Sequence, residues 1–183
     1  MGINALPSLT ELTLQGSAVS DAQVRSFAKA APNLTTLTGD CTMGDDALAA
    51  LARHCKGLTS LDIWGTDCTG SGMRVLKDLA LKRLEVDHLD LCDDDLRFFA
   101  ASFPQLEFIC LSWSGSFTVA GLQEFIAACP VLRGVTDSPD GVFFNHLVNR
   151  PDENGDEATE AEKQLRKRAA DECVAILNSR RQV

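Results

Sequence analysis

Six leucines recur at nearly equal intervals along this chain. Leu9, Leu34, Leu58, Leu81, Leu106 and Leu132 stand 25, 24, 23, 25 and 26 residues apart. Each is followed three places on by a second apolar residue, and most by another two places later, an L-x-x-L-x-L core. A period in the twenties leaves room for one short strand and one helix per unit. Such a unit cannot bury its apolar face alone, so the pattern demands that units stack into one continuous core.

The strands read with a period of two, in which alternate residues face the core. Leu9, Leu12 and Leu14 face inward in the first unit. The equivalent sets are Leu58/Leu61/Ile63, Leu81/Leu84/Val86 and Leu106/Ile109/Leu111. Leu34/Leu37 is followed by Gly39, which predicts a short second strand, and Leu132/Val135 predicts a weak last one. Turn punctuation follows at Gly16-Ser17, Gly39-Asp40, Gly65-Thr66 and Ser114-Gly115.

Helical stripes at i, i+3, i+4 and i+7 come next. They are Val24/Phe27/Ala28/Ala31, Leu48/Leu51/Ala52/Cys55, Leu96/Phe99/Ala100/Phe103 and Leu122/Phe125/Ile126/Cys129. Ser20-Asp21, Asp45-Asp46 and Asp93-Asp94-Asp95 supply acceptors for the open N–H groups of helix starts. Pro32, Pro104 and Pro130 follow the helix ends. The third unit departs: Gly70-Ser71-Gly72 opens a helix with stripe Met73/Leu76/Ala80 and no closing proline, so a short or irregular helix is expected.

Together these features predict an α/β leucine-rich-repeat solenoid, a short curved parallel sheet with helices on its convex side, followed by a C-terminal helix. The array of five to six repeats spans residues 1–136. Residues 137–150, with the apolar run Val142 to Val148, read as a C-terminal cap, and 151–157 as an acidic linker. Residues 158–178 read as an amphipathic helix with stripe Leu165/Ala169/Cys173/Ile176/Leu177, which packs back on the array or docks on a partner. No unit precedes Leu9, Leu12 and Leu14, so that sheet edge is expected to be covered by a second chain or by further sequence.

The unit tails Ala30-Ala31-Pro32-Asn33-Leu34, His54-Cys55-Lys56-Gly57-Leu58 and Ala128-Cys129-Pro130-Val131-Leu132 resemble the LA-x-x-C-P-x-L joint of cysteine-containing leucine-rich repeats. The heads Val19-Ser20-Asp21 and Met43-Gly44-Asp45-Asp46-Ala47-Leu48 resemble that subfamily's I-T-D-x-G-L stretch. The resemblance covers roughly residues 6–136. It implies a protein-binding array like those of F-box proteins, where the repeats select substrates for ubiquitin ligases. No F-box helices precede the first repeat in this sequence, so adapter docking is not implied. Ribonuclease-inhibitor-like and bacterial effector repeats are similar as well.

Charge and cysteine usage narrow the function classes. The net charge is −9, with 16 acids against 10 bases up to residue 136 and 10 against 7 beyond it. No segment is a basic arm, which argues against nucleic acid as a direct partner. No apolar run is long enough to span a bilayer. Seven cysteines at repeat-linked positions read as reduced thiols, hence an intracellular protein, cytoplasmic or nuclear, with an organelle left open.

Candidate sites are few. Cys55 and Cys129 share one unit position and read as buried packing rather than a redox or metal pair. His88 to Asp95 contains one His and one Cys without a second ligand pair, so it reads as an acidic turn capping a helix. Asp152 to Glu157 begins like a calcium loop, but Glu157 and Lys163 stand where Gly and the last Glu ligand belong. No nucleophile–base pair is evident around His54, His88 or His146. Neither a cofactor, a metal nor a small-molecule substrate is expected, nor enzyme activity. Trp64 and Phe108 are expected on the concave face, with Asp62, Arg83, Glu85 and Asp87 beside them, as a protein-binding centre. Local packing is the competing reading for both aromatics and the favoured one for Trp113. The expected partner is a protein, in a hetero-complex, with the chain either a substrate-recognition or adaptor module or a small structural subunit of a large assembly.

Overall fold

The computed structural model describes residues 4–14, 19–40, 42–86, 89–111, 116–136, 157 and 159–181. Six strands form one parallel sheet in sequential order. They are β1 (Glu11–Leu14), β2 (Thr36–Asp40), β3 (Ser60–Trp64), β4 (Arg83–Val86), β5 (Phe108–Cys110) and β6 (Gly134–Thr136). Between them run α1 (Asp21–Ala30), α2 (Asp45–His54), α3 (Gly70–Met73), α4 (Asp93–Ser102) and α5 (Val119–Ala128). A long helix, α6 (Glu160–Arg181), follows the sheet.

The register places equivalent residues of successive units side by side. Leu12 pairs with Leu37, Leu37 with Leu61, Leu61 with Leu84, Leu84 with Ile109, and Ile109 with Val135. From Leu37 onward every member of this row is buried, and the helix stripes close over it into one core cluster. Leu9 and Leu12, on the edge strand, are only partly buried against that cluster. A fully buried Leu contributes about 1.5–3 kcal/mol over an exposed one, so the inner rungs dominate.

Two regular polar ladders lock the units in phase. At the strand entrances Thr35 N–H donates to Thr10, Thr59 to Thr35, Lys82 to Thr59, Glu107 to Lys82 and Arg133 to Glu107, at 2.8 to 2.9 Å. At the helix entrances a carboxylate in the first turn of one helix accepts from the N-cap residue of the next. Asp21 takes Gly44 N–H at 2.7 Å. Asp45 takes Thr69 N–H and Oγ1–H at 2.9 and 2.8 Å, and Asp93 takes those of Thr118 at 2.7 and 2.9 Å. Room for Asp45 and Asp93 comes from Gly72 and Gly121, where an added Cβ would lie 1.8 and 2.1 Å from the carboxylate oxygen. The third unit breaks this ladder because Gly70 opens α3. Arg74 instead reaches forward to Asp95 at 2.7 Å.

That third unit has the irregular helix expected of it: one α turn over Gly70–Met73 and then a 3-10 segment over Arg74–Asp78. Its buried stripe is Met73, Leu76 and Leu79, while Ala80 is exposed, because the tighter winding advances the inward face by one residue.

Gly39 and Asp40 lie inside β2 rather than in a turn, and β2, at five residues, is as long as β3. Gly39 does not end the strand; it lets the strand pass. Its φ is +151°, and an added Cβ would lie 2.0 Å from the Leu14 carbonyl oxygen. Only the missing side chain allows β1 and β2 to close there.

The helix stripe near the C-terminus also differs from expectation. Helix α6 spans Glu160–Arg181; among its described side chains Ala170, Cys173 and Leu177 are buried, whereas Leu165 and Ile176 are 69% and 42% exposed, and the Ala169 side chain lies outside the description. Helix α6 packs back on α5. Arg180 donates to the carbonyls of Ile126, Cys129 and Leu132 at 2.7 to 3.3 Å, where α5 ends and turns toward β6. One unit end of α1 is served similarly by Cys55, whose thiol lies 3.7 and 3.6 Å from the Ala28 and Ala31 carbonyls. Arg180 thus serves the end of α5 as Cys55, from the following unit, serves the end of α1. The expected cap at 137–150 lies outside the described residues, as do residues 151–156 of the linker.

Gly39→Ala is expected to cost at least about 2 kcal/mol in urea unfolding, since it adds a clash to a strained backbone. Gly57→Ala, whose nearest new neighbours would be 3.9 Å away, should stay within about 0.5 kcal/mol of the parent.

Candidate protein-binding face

The face of the sheet opposite the core carries two rows of side chains. The first runs Glu11, Thr36, Ser60, Arg83, Phe108, and the second Thr13, Thr38, Asp62, Glu85, Cys110. The period of two dictates this directly, since the residues between the inward leucines must point away from the core.

Five of the six expected binding residues come together here, and Asp87 lies outside the described residues. Phe108 is half-buried and carries the Arg83 guanidinium over its ring, 4.1 Å from the centroid. Arg83 forms an ion pair with Glu85, one place along the same face. Trp64 is half-buried at the exit of β3, beside Asp40, and its indole N–H donates to Asp62 Oδ1 at 2.5 Å. Each aromatic packs locally on a charged neighbour and each keeps surface facing out. Trp113 lies outside the described residues.

The electrostatics of the patch centre on Glu85. Burial pushes its carboxyl above the ordinary value of 4.5, the neighbouring Asp62 adds to the rise, and Arg83 opposes it. Asp95, on the helix side, goes the other way. Its burial is outweighed by hydrogen bonds from Cys92 N–H and from Arg74, and its carboxyl sits below the ordinary range. It holds the start of α4 and is not part of the outward face.

Cys55, Cys129 and Cys173 are buried in the core. Burial raises Cys55, and lifts Cys129 and Cys173 to about 11 each. They stay protonated at neutral pH. Among the described residues no group of three His, Cys, Asp or Glu side chains could hold a metal ion, and no helix is long and apolar enough to cross a membrane. His54 is in the last turn of α2, on the helix side, while His88 and His146 lie outside the described residues. The possible calcium loop, residues 152–157, is also outside them except for Glu157.

Sequence reasoning read Asp21, Asp45 and Asp93 as acids for their own helix starts and missed their grip on the next unit. The signal was present in Thr69-Gly70-Ser71-Gly72 and Thr118-Val119-Ala120-Gly121, two T-x-x-G stretches that follow the acids by 24 and 25 residues.

No family model matches this chain, and no curated protein matches it. Among solved structures, the tropomodulin C-terminal domain of Caenorhabditis elegans is similar at 14% identity and a TM-score of 0.42, covering 96% of this chain and 90% of that one.

The raised Glu85 has a definite pH signature. With a folded-state value above the unfolded one, the folded chain binds the extra proton, so this residue's contribution to stability falls as pH rises from about 4.5 through its folded value. Comparing denaturant midpoints of the parent and Glu85→Gln at acid and neutral pH should show the variant gaining on the parent as pH rises.

Proposed function

We propose that this chain is a leucine-rich-repeat solenoid and works as a non-catalytic protein-binding module, engaging a partner through the outward face of β3, β4 and β5. The observation that carries this reading is the cluster of Trp64, Asp62, Arg83, Glu85 and Phe108 on adjacent strands. Aromatic and arginine side chains supply large, amphipathic contact area and dominate binding energy where they are buried at an interface centre. Here the charges are already paired within the face, so little side-chain ordering is left to do on binding. The resemblance of the unit joints to cysteine-containing repeats supports a role in substrate recognition or as an adaptor, of the ubiquitin-ligase type, inside the cell.

A second reading makes the chain a small structural subunit of a large intracellular assembly. It is favoured by Leu165 and Ile176 on α6, which stay exposed at 69% and 42% although the helix is docked.

The two readings separate by quantitative affinity capture with cross-linking, using paired variants whose folding is checked by circular dichroism. Trp64→Ala with Phe108→Ala should reduce recovery of the bound partner at least about tenfold under the first reading, since central aromatic anchors are each worth about 2 kcal/mol or more. Leu165→Ser with Ile176→Ser should leave it unchanged. The opposite order of effects would favour the assembly subunit, and capture indifferent to both pairs would remove both surfaces.

A further inference from the structure

On the helix side, remote from the strand face, α1 and α2 pack against one another and frame a groove of about 220 Å³. Its walls are basic. Arg25 and Lys29 stand one helical turn apart on α1, and Arg53 and His54 close the end of α2. Ala49 and Ala50, with short side chains, line it as well. One acid lines it: Asp46, which pairs with Arg25 at 3.3 Å while both side chains remain 76% and 46% exposed. An ion pair so open to water is weakly held and readily exchanged. Lys29 and Arg53 make no ion pair among the described residues.

The balance of charge runs against the rest of the molecule. The chain carries −9 overall, yet this groove holds three permanent positive charges against one negative. The carboxyl ends of α1 and α2 each contribute about half a negative charge over the last turn, which Lys29 and Arg53 more than offset. Positive charge concentrated in a channel between two helices attracts a complementary anionic chain and gives it direction.

We propose that this groove docks an acidic stretch of a partner polypeptide, with its carboxylates exchanging for Asp46 on Arg25 and pairing with Lys29 and Arg53. The spacing of the bases along two walls suits charges distributed along an extended segment better than a single compact anion, which would call for donors converging on one point. A nucleic acid, whose charge extends over many residues' length, would run from this groove onto a chain that carries −9 overall, whereas a short acidic stretch need not leave it. This surface is separate from the strand face, and the two stand or fall independently.

The test is fluorescence anisotropy with a short, fluorescein-labelled peptide rich in Glu. The full chain should bind it, and the affinity should fall roughly tenfold between about 50 and about 300 mM salt. Lys29→Glu with Arg53→Glu should weaken binding by roughly tenfold or more, with an unchanged circular dichroism spectrum and melting temperature. Trp64→Ala with Phe108→Ala should leave it intact. Binding that survives the charge reversal overturns the proposal, as does an equal affinity for a Lys-rich peptide of the same length. Complete displacement by millimolar inorganic phosphate would mean a small-anion site and would overturn it too. So would self-association in light scattering that the charge reversal abolishes, because the occupant would then be a second copy of this chain.

Discussion

Everything in this molecule rests on one row of aliphatic side chains held in register: Leu12, Leu37, Leu61, Leu84, Ile109 and Val135. No strand–helix unit contains a core of its own. Leu61 is buried because Leu37 and Leu84 flank it and the α2 and α3 stripes close over it, whereas Leu12, with a neighbour on one side, is only half-covered. The entropy of ordering each unit, about 1–2 kcal/mol per residue for the backbone alone, is met only when its neighbours are ordered too. Stability in such a stack is therefore shared between units rather than summed over independent parts.

The polar ladders explain how a sheet of short strands keeps its phase. A slip of one residue would turn every leucine outward. The backbone bonds at the strand entrances and the carboxylates of Asp21, Asp45 and Asp93 at the helix entrances each penalise that slip. The glycines are placed to serve these contacts. Gly72 and Gly121 make room for a neighbour's carboxylate, and Gly39 for the Leu14 backbone. The same phase aligns the outward residues, so a face with Arg83 stacked on Phe108 and Trp64 tied to Asp62 follows from the burial of the residues between them.

Much of this was legible in the sequence, because burial imposes a period and a period is visible in one dimension. The strand order, the inward rows and four of the helical stripes follow from leucine spacing alone. The irregular third helix also follows, from Gly70 and Gly72. What was not legible depends on distances between units. Gly39 looked like a turn because nothing local shows that the Leu14 carbonyl approaches it. The aspartates looked like caps for their own helices because their partners lie 23 to 25 residues away. Leu165 and Ile176 matched an apolar stripe, but the width of a buried stripe is set by what covers it, and both stay exposed although the helix packs on α5. The period of two puts Asp62, Arg83, Glu85 and Phe108 on one face, while the pairing there, Arg83 to Glu85 and Trp64 to Asp62, needed coordinates.

Native-state hydrogen exchange on Leu61→Ala tests the shared core most directly. Truncating this central rung should cost about 2–5 kcal/mol. The account predicts that amide protection then falls together in β2, β3 and β4 and in the helices beside them. Loss of protection confined to residues 60–64, with neighbouring strands as slow as in the parent, would show that the units are stable on their own and would contradict it.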